Sequence, residues 1–180
     1  MMNSSRVSGG YMKPALLVID IQKAWLHENK DLRASVERRL STINRAIRWF
    51  RKKKLPIIVI YHEEKQYGVV RGSKPFEFLE AVDVGVGDKR VIKHYPNSFC
   101  KTKLNAILRK TGCDTVAIVG LSASGCVLAT FFGALDNDLT PFIVKNGVAS
   151  HSEEHVRFAE EICGTVEIGS FEKTLLRTRK

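Results

Sequence analysis

The chain has 180 residues, 44% of them hydrophobic and 27% charged, which excludes a disordered polymer and suffices for one domain with a real core. No apolar run approaches the ~20 residues needed to span a bilayer. The opening "MMNSSRVSGG" also lacks the apolar stretch of a signal peptide, so 1–12 reads as a flexible tail before a folded domain over 13–180. The formal net charge of +10 raises nucleic acid as a partner.

"PALLVID" (14–20) is a first buried strand, ending in Asp20. The charge then concentrates in "RASVERRLSTINRAIRWFRKKK" (33–54), where Val36, Leu40, Ile43, Ile47 and Phe50 recur at spacings of three and four. That spacing predicts an amphipathic helix with its Arg and Lys residues solvated, and no nucleic-acid module accompanies it. Nucleic acid is therefore not expected as a partner.

"LPIIVIYH" (55–62) is a second strand, opened by a proline that cannot continue the helix before it. A polar stretch over 63–75 follows, with a short helix expected around 76–81. "RVIKH" (90–94) is a third strand, and "KTKLNAILRKTG" (101–112) a helix closed by Gly112. "DTVAIVG" (114–120) and a helix over 126–137 come next, then "LTPFIVKN" (139–146) and a helix at 152–163 that Ser152 caps. "TVEIG" (165–169) is a sixth strand, and the end of the chain is helical or frayed.

Strands that are apolar throughout, alternating with amphipathic helices, predict a parallel sheet between two helix layers. This is a single-domain, three-layer α/β/α architecture with a six-stranded, mainly parallel sheet. In such folds ligands bind beyond the carboxyl ends of the strands, so the residues just past each strand carry the functional question.

Asp20 follows the first strand, Lys93 closes the third, and the fourth delivers "GLSASGCV". With Ser124 as N-cap, its hydroxyl would accept from the amide of Cys126 or Val127. Cys126 would then lie at the positive end of a helix, a setting that favours thiolate. The segment alone leaves Cys126 open as either a nucleophile or one more buried thiol. A serine-hydrolase elbow fails because Ser124 replaces the closing glycine of G-x-S-x-G, and a dinucleotide fingerprint fails for want of a middle glycine. Taken together, an acid, a lysine and a cysteine converging on one sheet edge form a constellation for acyl transfer to sulfur. Lys93 would stabilise negative charge and Asp20 would move the proton.

Three segments in order, "ALLVIDIQKAWL", "VIKHYPNSFCKTKLNAIL" and "DTVAIVGLSASGCVLATFFGALDND", resemble the isochorismatase-like cysteine hydrolases, which include nicotinamidases and N-carbamoylsarcosine amidases. "NGVASHSEEHV" (146–156) extends the resemblance, which covers about 14–168. It implies a Rossmann-like strand order 3-2-1-4-5-6 and catalytic roles for Asp20, Lys93 and Cys126. It also implies a cis peptide between Leu121 and Ser122, and an oxyanion hole from the backbone N–H groups of Ser122 and Cys126.

The chain departs from the family where Ala123 and Ser124 stand in place of a frequent Thr-Asp. The nicotinamidase metal pair is missing as well: His62 stands alone with Glu63 and Glu64. The expectation is accordingly a metal-independent, cofactor-free hydrolase of a small amide. Trp25, Tyr61, His62, Tyr67 and Phe99 are candidate pocket walls. A cytoplasmic homo-oligomer is expected, and the rival readings are a scaffold or binding protein with an idle triad and a basic nucleic-acid-associated protein.

Overall fold

The computed structural model describes residues 12–27 and 29–170. The expected N-terminal tail, except Met12, and the C-terminal segment from Phe171 lie outside the described residues.

Six strands form one sheet: β1 (Pro14–Ile19), β2 (Ile57–His62), β3 (Lys89–Lys93), β4 (Thr115–Leu121), β5 (Thr140–Ala149) and β6 (Thr165–Val166). All neighbours are parallel, and their order is β3-β2-β1-β4-β5-β6. The chain reverses its direction of winding between β1 and β4, so their carboxyl ends open onto the crevice of a doubly wound sheet.

The helices are α1 (Lys23–His27), α2 (Lys30–Lys52), α3 (Leu104–Thr111), α4 (Leu128–Leu135) and α5 (Glu153–Cys163). Alternate residues of the strands feed two separate cores. Leu16, Val18, Val59 and Val119 pack with Val36, Ile43, Ile47 and Phe50 of α2. Leu17, Ile19, Ile60 and Ile118 pack with Leu104 and Leu108 of α3, Phe131 of α4 and Val156 of α5. Both sheet faces are covered, which is why β1 reads as an unbroken apolar run.

Several elements depart from the sequence reading. No helix forms over 76–81. A single turn at Lys74–Phe76 gives way to extended chain whose backbone is engaged elsewhere: Lys23 N–H donates to Glu77 O and Leu79 N–H to Ile21 O. The final strand has two residues and runs into a helical turn beginning at Ile168. The helix expected from Cys126 begins as a regular helix only at Leu128.

α2 is not a wholly solvated basic surface either. Arg39 is buried and pairs with Glu153 at 2.5 Å, Arg51 pairs with Asp88 at 2.8 Å, and Arg48 pairs with Asp83. Its start is set by Asn29, whose side-chain oxygen accepts from Leu32 N–H. Among the described residues no helix is long and apolar enough to cross a membrane.

Candidate active site

β1 ends at Asp20, whose φ of 55° is in the left-handed region that aspartate tolerates better than most residues. The turn is held by Asp20 N–H donating to Ile60 O and Gln22 N–H to Asp20 O. Lys93 ends β3 two strands away and is fully buried. The shared register of β1, β2 and β3 brings the two ends together, so that Lys93 Nζ lies 2.7 Å from Asp20 Oδ2.

The third group arrives from β4. Gly120 has φ 121° and pairs with Ile19, and a Cβ there would lie 2.1 Å from Ile19 O, so only glycine fits between the two strands. The Leu121–Ser122 peptide is cis. A wide turn over Ala123–Val127 follows, in which Val127 N–H reaches back five residues to Ser122 O and Gly125 has non-helical dihedrals. This turn presents Cys126 to Lys93, whose Nζ donates to Sγ at 3.1 Å. The structure thus brings Asp20, Lys93 and Cys126 to one point.

Two details of the loop differ from the sequence reading. Ser124 does not cap a helix; its hydroxyl lies 3.2 Å from His155 Nδ1. Ser122 occupies the cap position, makes no side-chain capping bond, and instead sets its Oγ 3.2 Å from Ser150 Oγ. Nor is the thiol acidified: burial, with the Asp20 charge as second cause, pushes the Cys126 pKa up to about 12 against the opposing pull of Lys93. Burial likewise raises Asp20, although Lys93 acts to lower it.

Above the triad opens a cavity of about 360 Å³, lined by Trp25, Asn29, Leu32, His62, Glu64 and Tyr67 as well as Leu121, Ser122 and the acid and thiol. Trp25, His62 and Tyr67 of the expected walls belong to it. Tyr61 does not; it is buried and stacks on Phe76 at 5.0 Å. Phe99 packs into the core on the α3 side of the sheet. A larger hollow of about 510 Å³, between α1, Arg33 and Pro75, contains none of the triad; Asp20 and Cys126 face the smaller one.

Fully buried Gln22 shapes this cavity. Its amide donates to His62 O and Phe76 O, each at 3.1 Å, and its oxygen accepts from His62 N–H at 2.8 Å and from Trp25 Nε1 at 3.4 Å. His62 is pushed down to about 4 by burial, with Lys93 and His94 adding repulsion, so it is neutral at physiological pH.

Asp20, His62 and Cys126 bring donor atoms within 4.8 Å of one another. Two of these three groups are already engaged by Lys93, whose Nζ lies 2.7 Å from Asp20 Oδ2 and 3.1 Å from Cys126 Sγ. Sequence reasoning missed Glu64 and Asn29, whose place over the triad depends on loop packing. It also missed the polar line behind the loop: Ser150 N–H donates to Ser35 Oγ, which accepts from Arg39, itself bound to Glu153.

A six-stranded doubly wound sheet with these groups at its switch point defines an α/β protein of isochorismatase-like fold. The isochorismatase domain model matches residues 14–162, and the chain belongs to the isochorismatase family. Among its relatives, a maleamate amidohydrolase of Pseudomonas putida is 33% identical over 88 residues, 48% of this chain and 41% of that protein. The chain thus matches less than half the length of that relative. The uncharacterised isochorismatase family protein YddQ of Bacillus subtilis is 25% identical over 82% of this chain and 89% of its own length. Among solved structures, N-carbamoylsarcosine amidase from Thermoplasma acidophilum superposes with a TM-score of 0.75 at 25% identity, covering 87% of this chain and 95% of that one. An isochorismatase-like hydrolase from Alkaliphilus metalliredigens gives a TM-score of 0.79 at 24% identity, over 88% and 96% of the two chains.

Proposed function

We propose that this chain is a cysteine hydrolase that cleaves the C–N bond of a small amide through a thioester on Cys126. The observation that carries this reading is the Lys93 ammonium, 3.1 Å from Cys126 Sγ and 2.7 Å from Asp20 Oδ2 in a buried site. Asp20 takes the thiol proton as sulfur attacks the carbonyl carbon. Lys93 lowers the energy of the negative charge that appears on sulfur. The backbone N–H groups of Ser122 and Cys126 serve the tetrahedral oxyanion. The C–N bond then breaks, and the amine leaves with the proton held by Asp20. Water, deprotonated by Asp20, hydrolyses the thioester and returns the thiol. The chemistry runs on protein groups alone, without metal or cofactor. The names of the amidohydrolase and amidase relatives support an amide substrate.

The pKa of about 12 favours one rival, a scaffold whose triad is idle. A panel of small amides separates the two. Ammonia release with an acyl group on Cys126 by mass spectrometry, absent in Cys126→Ala, is the expected result; an acyl group on another residue refutes the mechanism. The four free cysteines support a cytoplasmic location. The exposed Phe132 and Leu135 of α4 and Phe158 and Ile162 of α5 support self-association, which sedimentation tests.

A further inference from the structure

The charges around the mouth of the cavity are unbalanced. Its charged lining groups among the described residues are Asp20 and Glu64, and no lysine or arginine joins them. Lys93 lies beneath the floor, where it is fully buried between Asp20 and the thiol. Glu64 has a different setting. Among the described residues the basic group that pairs with it is His62, Nε2 to Oε2 at 3.7 Å, and that ring is neutral at physiological pH. Arg71 faces the adjacent carboxylate instead, Nε to Glu63 Oε1 at 3.7 Å, and His94 Nε2 lies 3.7 Å from Glu63 Oε2.

The other walls add to this bias. Trp25 and Tyr67 offer aromatic surface, which attracts cations through its quadrupole, and Asn29 offers a neutral amide. A carboxylate brought into this space would lose its hydration, meet no fixed cation and face Glu64. An ammonium or an N–H donor would find an acceptor at Glu64 and an aromatic wall.

Resting on the amide-hydrolase reading above, we infer that Glu64 selects the substrate's distal group: the cavity takes small amides that end in a cation or N–H donor and rejects those that end in a carboxylate. Its volume of about 360 Å³ is at the small end of ligand cavities, which suits compact molecules.

Three amides that share one carboxamide and ethylene frame and differ in the terminal group test this: β-alaninamide (cationic), butyramide (neutral) and succinamate (anionic). The expected order of kcat/KM is cation, neutral, anion, and Glu64→Lys reverses it. Glu64→Gln narrows the cation-to-anion ratio by about three- to tenfold, the effect of one charge at cavity range. Succinamate turned over as fast as β-alaninamide by the unaltered protein overturns the inference.

A second measurement needs no turnover. Alkylation of Cys126 by iodoacetate relative to iodoacetamide rises in Glu64→Gln by about the same factor, and an unchanged ratio also overturns the inference. Cys126 inert to both reagents would instead refute the nucleophile reading. In that event calorimetric binding of the three amides to Cys126→Ala decides the charge preference, and succinamate binding as tightly as β-alaninamide refutes it.

Discussion

Replacing Asp20 by asparagine is expected to make Cys126 more reactive towards a simple alkylator while abolishing hydrolysis. The thiol pKa of about 12 lies three above its ordinary value of 9, a penalty of about 4 kcal/mol on the thiolate. Desolvation is the larger cause and the Asp20 charge the next. The carboxylate and sulfur lie within 4.8 Å, so at an effective dielectric of ~20 their unscreened repulsion is about 3.5 kcal/mol or more. Lys93, bound to both, cancels much of it. An order-of-magnitude net effect of ~1.4 kcal/mol corresponds to about tenfold more thiolate in Asp20→Asn.

Iodoacetamide labelling of Cys126 at about pH 9, relative to half-buried Cys100 in the same chain, reads this directly. Amide hydrolysis, which needs the proton taken from sulfur and returned to nitrogen, should fall by about 10²–10⁴ in the same variant. Labelling that slows along with hydrolysis would show that Asp20 promotes the thiolate rather than opposing it, and the electrostatic account would fail.

Gln22→Leu should cost about 2–4 kcal/mol in urea unfolding, because it removes the partner of the part-buried His62 N–H and of two carbonyls, and the Trp25 fluorescence should shift with it. Gly120→Ala has no room beside Ile19 O and should lose about 3 kcal/mol or more, seen as a lower thermal midpoint or loss of soluble protein. Glu153 is held at about 2 by Arg39 and Arg38, below its ordinary 4.5, so its contribution is complete above about pH 4.5 and is lost as pH falls towards 2. Since the group is largely exposed, that contribution should be about 1 kcal/mol or less. Thermal midpoints of Glu153→Gln and the unaltered chain should converge through this window, and a constant gap would contradict the assignment.

The fold was legible because β1, β2 and β4 are apolar on both faces and the helices between them are amphipathic. The convergence of Asp20, Lys93 and Cys126 was legible because Asp20 and Lys93 stand at the ends of parallel strands and Cys126 in the loop that follows a third. What pattern could not reveal was set by contacts between segments distant in the chain. The 76–81 stretch has no local reason to be extended; the backbone of Ile21 and Lys23 makes it so. Ser124 has the sequence of a cap, but the wide turn moves the cap position to Ser122. Arg39 looks like its neighbours on α2 until α5 brings Glu153 to it. Tyr61, at a strand end, looked like a pocket wall, yet Phe76 and Phe78 cover its ring.

The line from Ser122 through Ser150 and Ser35 to Arg39 and Glu153 grips the cysteine loop from the rear. The groups proposed to meet the distal end of a ligand, Trp25, Glu64 and Tyr67, line the same cavity and take no part in that line. On the proposed function, reactivity and selectivity are therefore written in different stretches of the chain. On that reading, substitution of the rim is expected to alter ligand choice without loosening the parts that hold the sulfur in place.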